Sequence, residues 1–202
     1  MKLNLFERFI TNNPIRAFLQ RHAEGPMLKK MGSRKEYPLC LEIGCGRGIG
    51  AGVIVEKFGA EKVIATDIDP EQINRAMKNL RLEYRDKIEF KVADAMEIDE
   101  PADKFDAVFS FGVIHHMEDW RRAIREVSRV LRRGGEFFFE EPLHNFTRHF
   151  TKGSLLGVVA THPKGGLFSF EKFRDELKNN NVDIINVKRI GNSAIFGVGR
   201  KR

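Results

Sequence analysis

The chain has 202 residues, and its 35 lysines and arginines outnumber its 28 aspartates and glutamates to give a formal net charge of +7. This length suffices for one well-buried domain. The longest apolar stretch, at 155–160, is too short to cross a bilayer, and residues 1–10 lack the apolar core of a secretory signal. We therefore predict a protein without a membrane span.

The positive charge is scattered along the chain, with small concentrations at 28–35 and 199–202. Scatter of this kind is typical of a solvated surface, although an anionic substrate, RNA or a membrane surface stays open. Cys40 and Cys45 flank a predicted strand and have no zinc-binding spacing. We expect reduced, buried thiols in a cytoplasmic protein, and no metal site.

The first 36 residues have a helical pattern. Asn13 is a candidate helix cap, and Pro14 follows it at the first helical position. Gly25 and Pro26 are predicted to close this helix, because glycine and proline are common where helices end.

After residue 36, apolar strands alternate with amphipathic helices. The strand-like segments are 38–44, 62–68, 87–95, 105–112 and 135–142, and the helical segments between them are 50–60, 69–80 and 118–133. A further helix, with Ser169 as its cap, precedes two β-rich runs joined by a Gly-Asn-Ser turn at 191–193. This order predicts a three-layer α/β fold with a mostly parallel sheet and a terminal hairpin.

Two helices carry specific predictions. In the helix that Asp69 caps, Ile73, Met77 and Leu80 form the predicted buried stripe. The helix at 118–133 is predicted to end at Arg132, Arg133 and the glycine pair 134–135, where cations favour a helix C-terminus.

The carboxyl ends of the predicted strands carry the residues that suggest a ligand site. The first strand runs into a turn with a glycine at every second position, at 44, 46, 48 and 50. Such a turn lets a ligand lie against the backbone at a helix N-terminus. Asp67 ends the second strand, where a ribose diol would be held, and Asp94 ends the third. Ligands of open parallel sheets bind at these ends, so the set predicts an adenosine-shaped site.

The motif Glu42-x-Gly44-x-Gly46-x-Gly48, followed by Asp67, by Asp94-Ala95 and by the segments at 105–120 and 129–142, resembles the Rossmann-like (class I) S-adenosylmethionine-dependent methyltransferases. Within them the chain is most similar to the small-molecule type related to ubiquinone and menaquinone biosynthesis enzymes. The resemblance covers 38–142 closely. It implies a seven-stranded, mostly parallel sheet with the last strand antiparallel, and S-adenosylmethionine as the cofactor.

The same resemblance implies a role for each matching residue. The glycines would cradle the methionine part of the cofactor, Glu42 would orient their loop, Asp67 would bind the ribose hydroxyls and Asp94 would approach the adenine amino group. The implied cofactor-binding set is Glu42, Gly44, Cys45, Gly46, Gly48, Asp67, Ile68, Asp94, Ala95, Ser110 and Phe111.

The residues that would act on the acceptor are less defined. Methyl transfer from a sulfonium is an in-line displacement, so the protein mainly has to hold and desolvate the nucleophile, and a base is needed only for some acceptors. His115 is a weak catalytic candidate, with an orienting or structural role as the alternative. Glu140 is another, and one member of the pair Glu140 and Glu141 is equally well read as a solvated strand-end charge.

The acceptor is predicted to be a small molecule, selected by segments outside the common core. We expect one domain over 1–202, with a helical cover at 1–36, a cofactor-binding core at 37–142, a candidate substrate lid at 143–168, and the last helix and hairpin at 169–202. Phe6, Phe9, Phe18 and Leu19 are candidate cover residues. For 143–168, a small helix packed on the sheet edge is the alternative to a mobile lid.

Other functions stay open at this point. An RNA or protein acceptor is compatible with the positive charge, although the segment after the fourth strand, Ser-Phe-Gly-Val, lacks the motif of amino-group DNA methyltransferases. An NAD(P)-dependent oxidoreductase also needs a glycine turn and a ribose acid. A non-catalytic cofactor-binding protein on the same fold is the third alternative, since one fold hosts many functions.

Overall fold

The computed structural model describes residues 14–143, 168–191 and 193–202. The helices over these residues are α1 (Pro14–Leu19), α2 (Gly25–Met31), α3 (Ile49–Phe58), α4 (Pro70–Asn79), α5 (Trp120–Val130) and α6 (Phe170–Asn179). The strands are β1 (Leu39–Ile43), β2 (Lys62–Asp67), β3 (Ile88–Val92), β4 (Phe105–Phe111), β5 (Leu131–Pro142), β6 (Val182–Ile190) and β7 (Ala194–Lys201).

The seven strands form one sheet in the order β3-β2-β1-β4-β5-β7-β6. The pairs among β1 to β5 are parallel, whereas β7 lies antiparallel between β5 and β6. The predicted fold class, a Rossmann-like α/β sheet with an antiparallel last strand, is therefore confirmed. The order reverses direction between β1 and β4, which is the switch point where such sheets bind ligands.

Two apolar clusters cover the two faces of the sheet. Because successive side chains of a strand point to opposite faces, Phe137 and Phe139 join one cluster, and Phe138, between them, joins the other. The first cluster is completed by α5 and α6, and the second by α2, α3 and α4. The sheet is thus the middle of three layers, as predicted.

Side-chain caps begin the helices where the sequence places them. Asp69 accepts a hydrogen bond from the backbone N–H of Glu71 at the start of α4, and Ser169 accepts one from the N–H of Lys172 at the start of α6. These contacts satisfy N–H groups that have no partner inside the helix. The interpretation of Asp69 as a cap agrees with this geometry.

The helix that starts at Pro14 does not end at Gly25 and Pro26, so that prediction is wrong. It continues through a π-helical turn at Gln20–Glu24, in which the N–H of Gly25 donates to the carbonyl of Gln20, and then runs on as α2. A Cβ at Gly25 would lie 2.5 Å from Val53 Cγ1. Gly25 therefore serves the close packing of this helix on α3, and Pro26 sits in the first turn of α2.

Two further details differ from prediction. Helix α5 ends at Val130, and β5 already begins at Leu131 with an irregular register against β4 around the left-handed Gly134. Arg132 and Arg133 thus belong to a strand. In α4, Ile73 is buried but Met77 is 59% exposed, so the predicted stripe does not include Met77.

The segment predicted as a lid lies outside the described residues apart from its two ends. Leu143 and Phe168, which bound it, are both buried in the cluster beside α5 and α6. The lid itself therefore stays a prediction. Of the candidate cover residues, Phe6 and Phe9 also lie outside the described residues, and Phe18 and Leu19 are exposed.

Candidate functional site

The turn after β1 has the backbone conformation that its glycines predict. Gly44, Gly46 and Gly48 have φ values of 67°, 53° and 83°. A Cβ at Gly44 would lie 2.2 Å from Val113 Cγ2, so the position has no room for a side chain. Around Gly46 a Cβ would meet no heavy atom within 4 Å, which leaves its backbone open on the pocket side. The turn then leads directly into the N-terminus of α3.

Glu42 lies beneath this turn and is 2% exposed. Its Oε2 has no hydrogen-bond partner among the described residues. Burial, together with the nearby charge of Asp67, raises the pKa of the Glu42 carboxyl to about 8, although a hydrogen bond with the backbone of Ala51 opposes the shift. A buried carboxyl with an unpartnered oxygen is costly, so this position favours a hydrogen-bond donor or a cation from outside the chain.

Asp67 ends β2 and faces the same turn. Its Oδ2 accepts the N–H of Gly46 at 2.9 Å, and its Oδ1 accepts the N–H of Asp69 at 2.9 Å. A carboxylate offers about four acceptor sites, so two remain for a ligand. Burial raises the pKa of Asp67, and the two backbone hydrogen bonds oppose that rise.

The end of β3 contributes the third acid. Asp94 accepts the N–H of Met96 at 2.9 Å through its Oδ1, which fixes the turn after the strand. Ala95 is buried next to it, and Ile68, on the neighbouring strand end, keeps 40% of its surface exposed. The apolar pair suits the flat face of a nucleobase, and the carboxylate beside it suits the amino edge of the same base.

One pocket brings these strand ends together. Of the predicted residues it is lined by Glu42, Gly44, Cys45, Gly46, Asp67, Ile68, Asp94, Ala95 and Phe111. Residues that were not predicted for the cofactor site also line it, namely Arg16, Gln20, Arg47, Ile49, Gly50, Asp69, Gln72, Ala93, Met96, Gly112, Val113, His116 and Met117. Gly48 is not among the lining residues, and a Cβ at this position would point at Phe90 and Ala76.

Ser110 also differs from its prediction. It is 1% exposed and does not line the pocket. Its side chain is turned inward, where the hydroxyl donates to Glu141 Oε1 at 2.7 Å. Its neighbour Phe111 lines the pocket, since successive residues of a strand point to opposite faces.

Glu140, at the end of β5, is an internal ion-pair partner. Its Oε1 accepts from Arg16 Nη2 at 2.8 Å, and its Oε2 has no partner among the described residues. Burial raises the pKa of Glu140 to about 8 against the opposing charge of Arg16. Arg16 also pairs with Glu24. The alternative that Glu140 is a solvated charge is therefore wrong.

His115 lies in the short helical turn Ile114–His116 that follows β4. It is 9% exposed, and its Nδ1 lies 2.8 Å from Glu141 Oε2. The ring contacts His116, which lines the pocket, with 3.9 Å between the ring centroids. The sequence treats Glu141 and Glu140 alike, as strand-end acids, because nothing in the strand pattern distinguishes them; in the structure Glu141 is fully buried.

The fold and the pocket together define a class of protein. A parallel sheet with a glycine turn after β1, acids at the ends of β2 and β3, and a reversal of strand order at the pocket is a Rossmann-like nucleoside-cofactor binder.

Residues 41–139 match the methyltransferase domain family. A curated relative, the 27-O-demethylrifamycin SV methyltransferase of Amycolatopsis mediterranei, is 38% identical over 98 residues, which are 47% of this chain and 35% of the relative. The chain spans about a third of the length of curated relatives that it matches.

Two solved structures share the fold. The PH0226 protein from Pyrococcus horikoshii superposes with a TM-score of 0.79 at 19% identity, covering 100% of both chains. A methyltransferase solved in complex with the Haloferax volcanii Trm112 activator gives a TM-score of 0.76 at 14% identity, covering 99% of both chains. The family match over residues 41–139, together with the similarity to curated methyltransferases, assigns these residues to the class I S-adenosylmethionine-dependent methyltransferases, and S-adenosylmethionine is the cofactor that the family uses.

Proposed function

We propose that the protein transfers a methyl group from S-adenosylmethionine to a small-molecule acceptor. The observation that carries this proposal is that the ends of β1 to β4 meet at one pocket. The glycine turn after β1 exposes its backbone there, and Asp67 and Asp94 bring carboxylates from the ends of β2 and β3. The bound cofactor supplies an activated methyl group on a sulfonium. The chain supplies binding, orientation and exclusion of water.

The residues of the chain divide into three roles in this proposal. The free acceptor sites of Asp67 hold the ribose hydroxyls, and Asp94 accepts from the adenine amino group. Gly44, Gly46 and Cys45 present backbone to the methionine part, and Glu42 ties β1 to the first turn of α3, which follows the glycine turn, through its hydrogen bond with the backbone of Ala51. The hydrogen-bonding groups of Asp67 and Glu42 fit the cofactor because each retains an unused oxygen lone pair after its contacts within the chain.

The acceptor would lie against pocket residues that belong to no part of the proposed cofactor-binding set. Arg16, Gln20, His116 and Met117 are such residues, and they combine one apolar side chain with three polar groups. Such a lining is typical of a small-molecule site. The acceptor in the name of the Amycolatopsis relative is also a small molecule, which supports the proposal.

A macromolecular acceptor is the second candidate. The net charge of +7 would favour RNA as that acceptor. The neighbour solved with the Trm112 activator supports a protein binding partner for this chain, and it does not bear on the acceptor. Over the described residues the charge is distributed among many ion pairs rather than gathered into one stripe, which favours the small molecule.

The location proposed for the protein is cytoplasmic. Cys40 and Cys45 are free, buried thiols, a state that suits a reducing compartment. No helix in the described ranges has the length and apolar character needed to cross a membrane. Cell fractionation followed by immunodetection checks the location directly.

The acceptor class is tested with S-adenosylmethionine that carries a labelled methyl group. The protein is incubated with extracts of its host separated into small-molecule, RNA and protein fractions, and label is followed in each. We expect transfer to the small-molecule fraction, and loss of that transfer in Asp67→Ala. Label found in RNA or protein, and absent from small molecules, contradicts the proposed acceptor class and favours the second candidate.

A further inference from the structure

A second pocket shares the glycine turn with the cofactor pocket. Its volume is about 300 Å³, and its walls come from α1 and the π-helical turn, from the start of α3, and from the end of α4 and the segment up to β3. Arg47 and Ile49 line both pockets, whereas Gly48, which the sequence pattern assigns to the cofactor, lines the second pocket and not the first. The glycine turn is therefore a wall of two pockets.

The two pockets differ in charge. Four acids line the cofactor pocket, but no aspartate or glutamate among the described residues lines the second. Its lining contains three arginines, Arg21, Arg47 and Arg81, and His22 and Asn79 add further N–H donors. Guanidinium groups without carboxylates beside them in the lining favour an anionic ligand. We refer to this second cavity as the basic pocket.

Glu56, which is not part of the lining, anchors the donors of the basic pocket. Its Oε1 lies 3.2 Å from Arg21 Nη2 and 3.4 Å from Arg81 Nη1, and it accepts the hydroxyl of Tyr84 at 2.7 Å. Arg81 Nη1 also lies 3.4 Å from the exposed Glu83. These arginine contacts are longer than about 2.7–2.9 Å, the usual length of a charge-assisted hydrogen bond. Because a guanidinium has five N–H donors, each arginine retains donors for a ligand.

Aromatic rings and a glycine shape the rest of the basic pocket. The rings of Phe18 and His22 lie against each other, with 4.5 Å between their centroids, and Tyr84 also lines the cavity. A Cβ at Gly52 would lie 3.6 Å from Arg21 Nη2 and 3.8 Å from Tyr84 Cε2, so a guanidinium and an aromatic ring meet above this glycine. The cavity therefore suits a flat ring beside an anionic group.

We propose that the basic pocket is a second binding site, for a small molecule that carries an oxyanion, a phosphate or a carboxylate, on an aromatic ring. Arg21 and Arg81 donate to the oxyanion, and Phe18 and Tyr84 contact the ring. None of these four residues lines the cofactor pocket, and the inference does not depend on the proposed function. A bounded cavity of this size is typical of small-molecule sites, which favours such a ligand over a strand of RNA.

A purely structural role for the arginines is the alternative, because Glu56 joins α3 to the π-helical turn through Arg21 and to the segment after α4 through Arg81. That role predicts that replacing either arginine lowers the stability of the fold and changes no binding. The two roles therefore differ in one observable, a saturable affinity for small aromatic oxyanions that depends on the arginines.

Isothermal titration calorimetry of the full chain measures this affinity, with S-adenosylhomocysteine in excess so that the cofactor pocket is filled. The probes are phenyl phosphate and benzoate, and phenol and inorganic phosphate represent the ring and the oxyanion alone. We expect one saturable site for an aromatic oxyanion, and weaker binding of phenol and of inorganic phosphate. Arg81→Gln and, independently, Arg21→Gln should each weaken this binding about tenfold, because a charge-assisted contact is lost.

Arg125→Gln is the matched control for Arg81→Gln. The Arg125 side chain is 52% exposed, compared with 49% for Arg81, and it pairs with Asp119 and lines neither pocket. Its replacement should leave binding of the probes unchanged. In ¹H–¹⁵N NMR spectra, the probe that binds should shift the amide signals of Gly48 and Gly52, which locates it in the basic pocket.

Three results would overturn the inference: no saturable binding of either aromatic oxyanion to the folded protein, unchanged affinity in both arginine variants, or shifts confined to amides outside the basic pocket. Binding of a single-stranded oligoribonucleotide without binding of the small probes also overturns it and favours RNA. Failure of S-adenosylhomocysteine to bind contradicts the proposed function instead, and the same titrations in the cofactor-free protein then decide the inference.

Discussion

The carboxylate of Asp67 and the backbone N–H of Gly46 are joined by a 2.9 Å hydrogen bond that ties the end of β2 to the glycine turn after β1. The two residues are 21 positions apart in the sequence. Their contact makes one acid both a support for the turn and a candidate ligand of the ribose. The remaining acceptor sites of Asp67 are therefore presented at a fixed distance from the turn.

Replacing this acid tests the ribose assignment. Asp67→Ala is expected to weaken S-adenosylmethionine binding by about 1–3 kcal/mol, because charge-assisted hydrogen bonds are lost. Isothermal titration calorimetry measures the change. Asp119→Ala is the control, since Asp119 caps α5 outside the pocket and should affect stability without affecting binding. Equal affinity in a folded Asp67→Ala protein would show that another group holds the ribose.

A methyl group at Gly46 tests whether the turn receives the cofactor. Gly46→Ala should cost about 1–2 kcal/mol of stability through its left-handed backbone, and should also weaken S-adenosylmethionine binding at least tenfold, because its Cβ would occupy the pocket. Gly191→Ala is a matched control, with φ of 55° and no atom within 4 Å of its Cβ, but in the β6–β7 hairpin. Similar binding in both variants would contradict the role of the turn.

The pKa of Glu42 predicts a pH dependence of stability. Its folded pKa of about 8 lies above the ordinary glutamate value, so the unfolded chain ionises first and the folded state loses stability as the pH rises from about 5 to 8. Glu42→Gln should remove this loss. Its free energy of unfolding should exceed that of the wild type by about 2 kcal/mol at pH 8, and the two values should be alike near pH 5.

Urea denaturation at several pH values measures this difference in the free energy of unfolding. Glu97→Gln, at an 82% exposed side chain, controls for the general effect of removing a negative charge. A constant gap between Glu42→Gln and the wild type over this pH range would contradict the raised pKa.

The ion pair of Arg16 and Glu140 links the N-terminal helix to the end of β5. Removing the guanidinium in Arg16→Ala leaves two carboxylates, Glu24 and Glu140, without their shared cation. We expect a loss of about 2 kcal/mol in the free energy of unfolding at pH 9, and a smaller loss at pH 6, where Glu140 is protonated.

The double variant Arg16→Ala/Glu140→Gln provides the internal control. It should recover part of the stability at pH 9, because Glu24 is then the one carboxylate of the two that still lacks its cation. If the double variant is as unstable as Arg16→Ala, the loss comes from packing of the arginine side chain and not from the ion pair.

Much of the fold could be predicted because local and long-range signals agree. The alternation of strands and helices, the caps Asp69 and Ser169, and the glycine turn depend on short-range patterns that the tertiary structure does not override. The acids at 67 and 94 could be placed together because parallel strands end at the same edge of a sheet.

Predictions failed where packing decides the outcome. Gly25 fits the sequence pattern of a helix end, but in the structure it allows close contact with Val53, and a π-helical turn before Pro26 lets the helix continue. Met77 fits the helical stripe but faces outward. The sequence could not distinguish Glu140 from Glu141, because only the register of β5 against β4 directs one toward Arg16 and the other toward His115.

Calorimetric titration of the purified protein with S-adenosylmethionine, S-adenosylhomocysteine and NAD(H) tests the central claim most directly. The account predicts saturable binding of the first two, with dissociation constants on the order of micromolar, and no binding of NAD(H). Binding of NAD(H) without binding of S-adenosylmethionine or S-adenosylhomocysteine would contradict it.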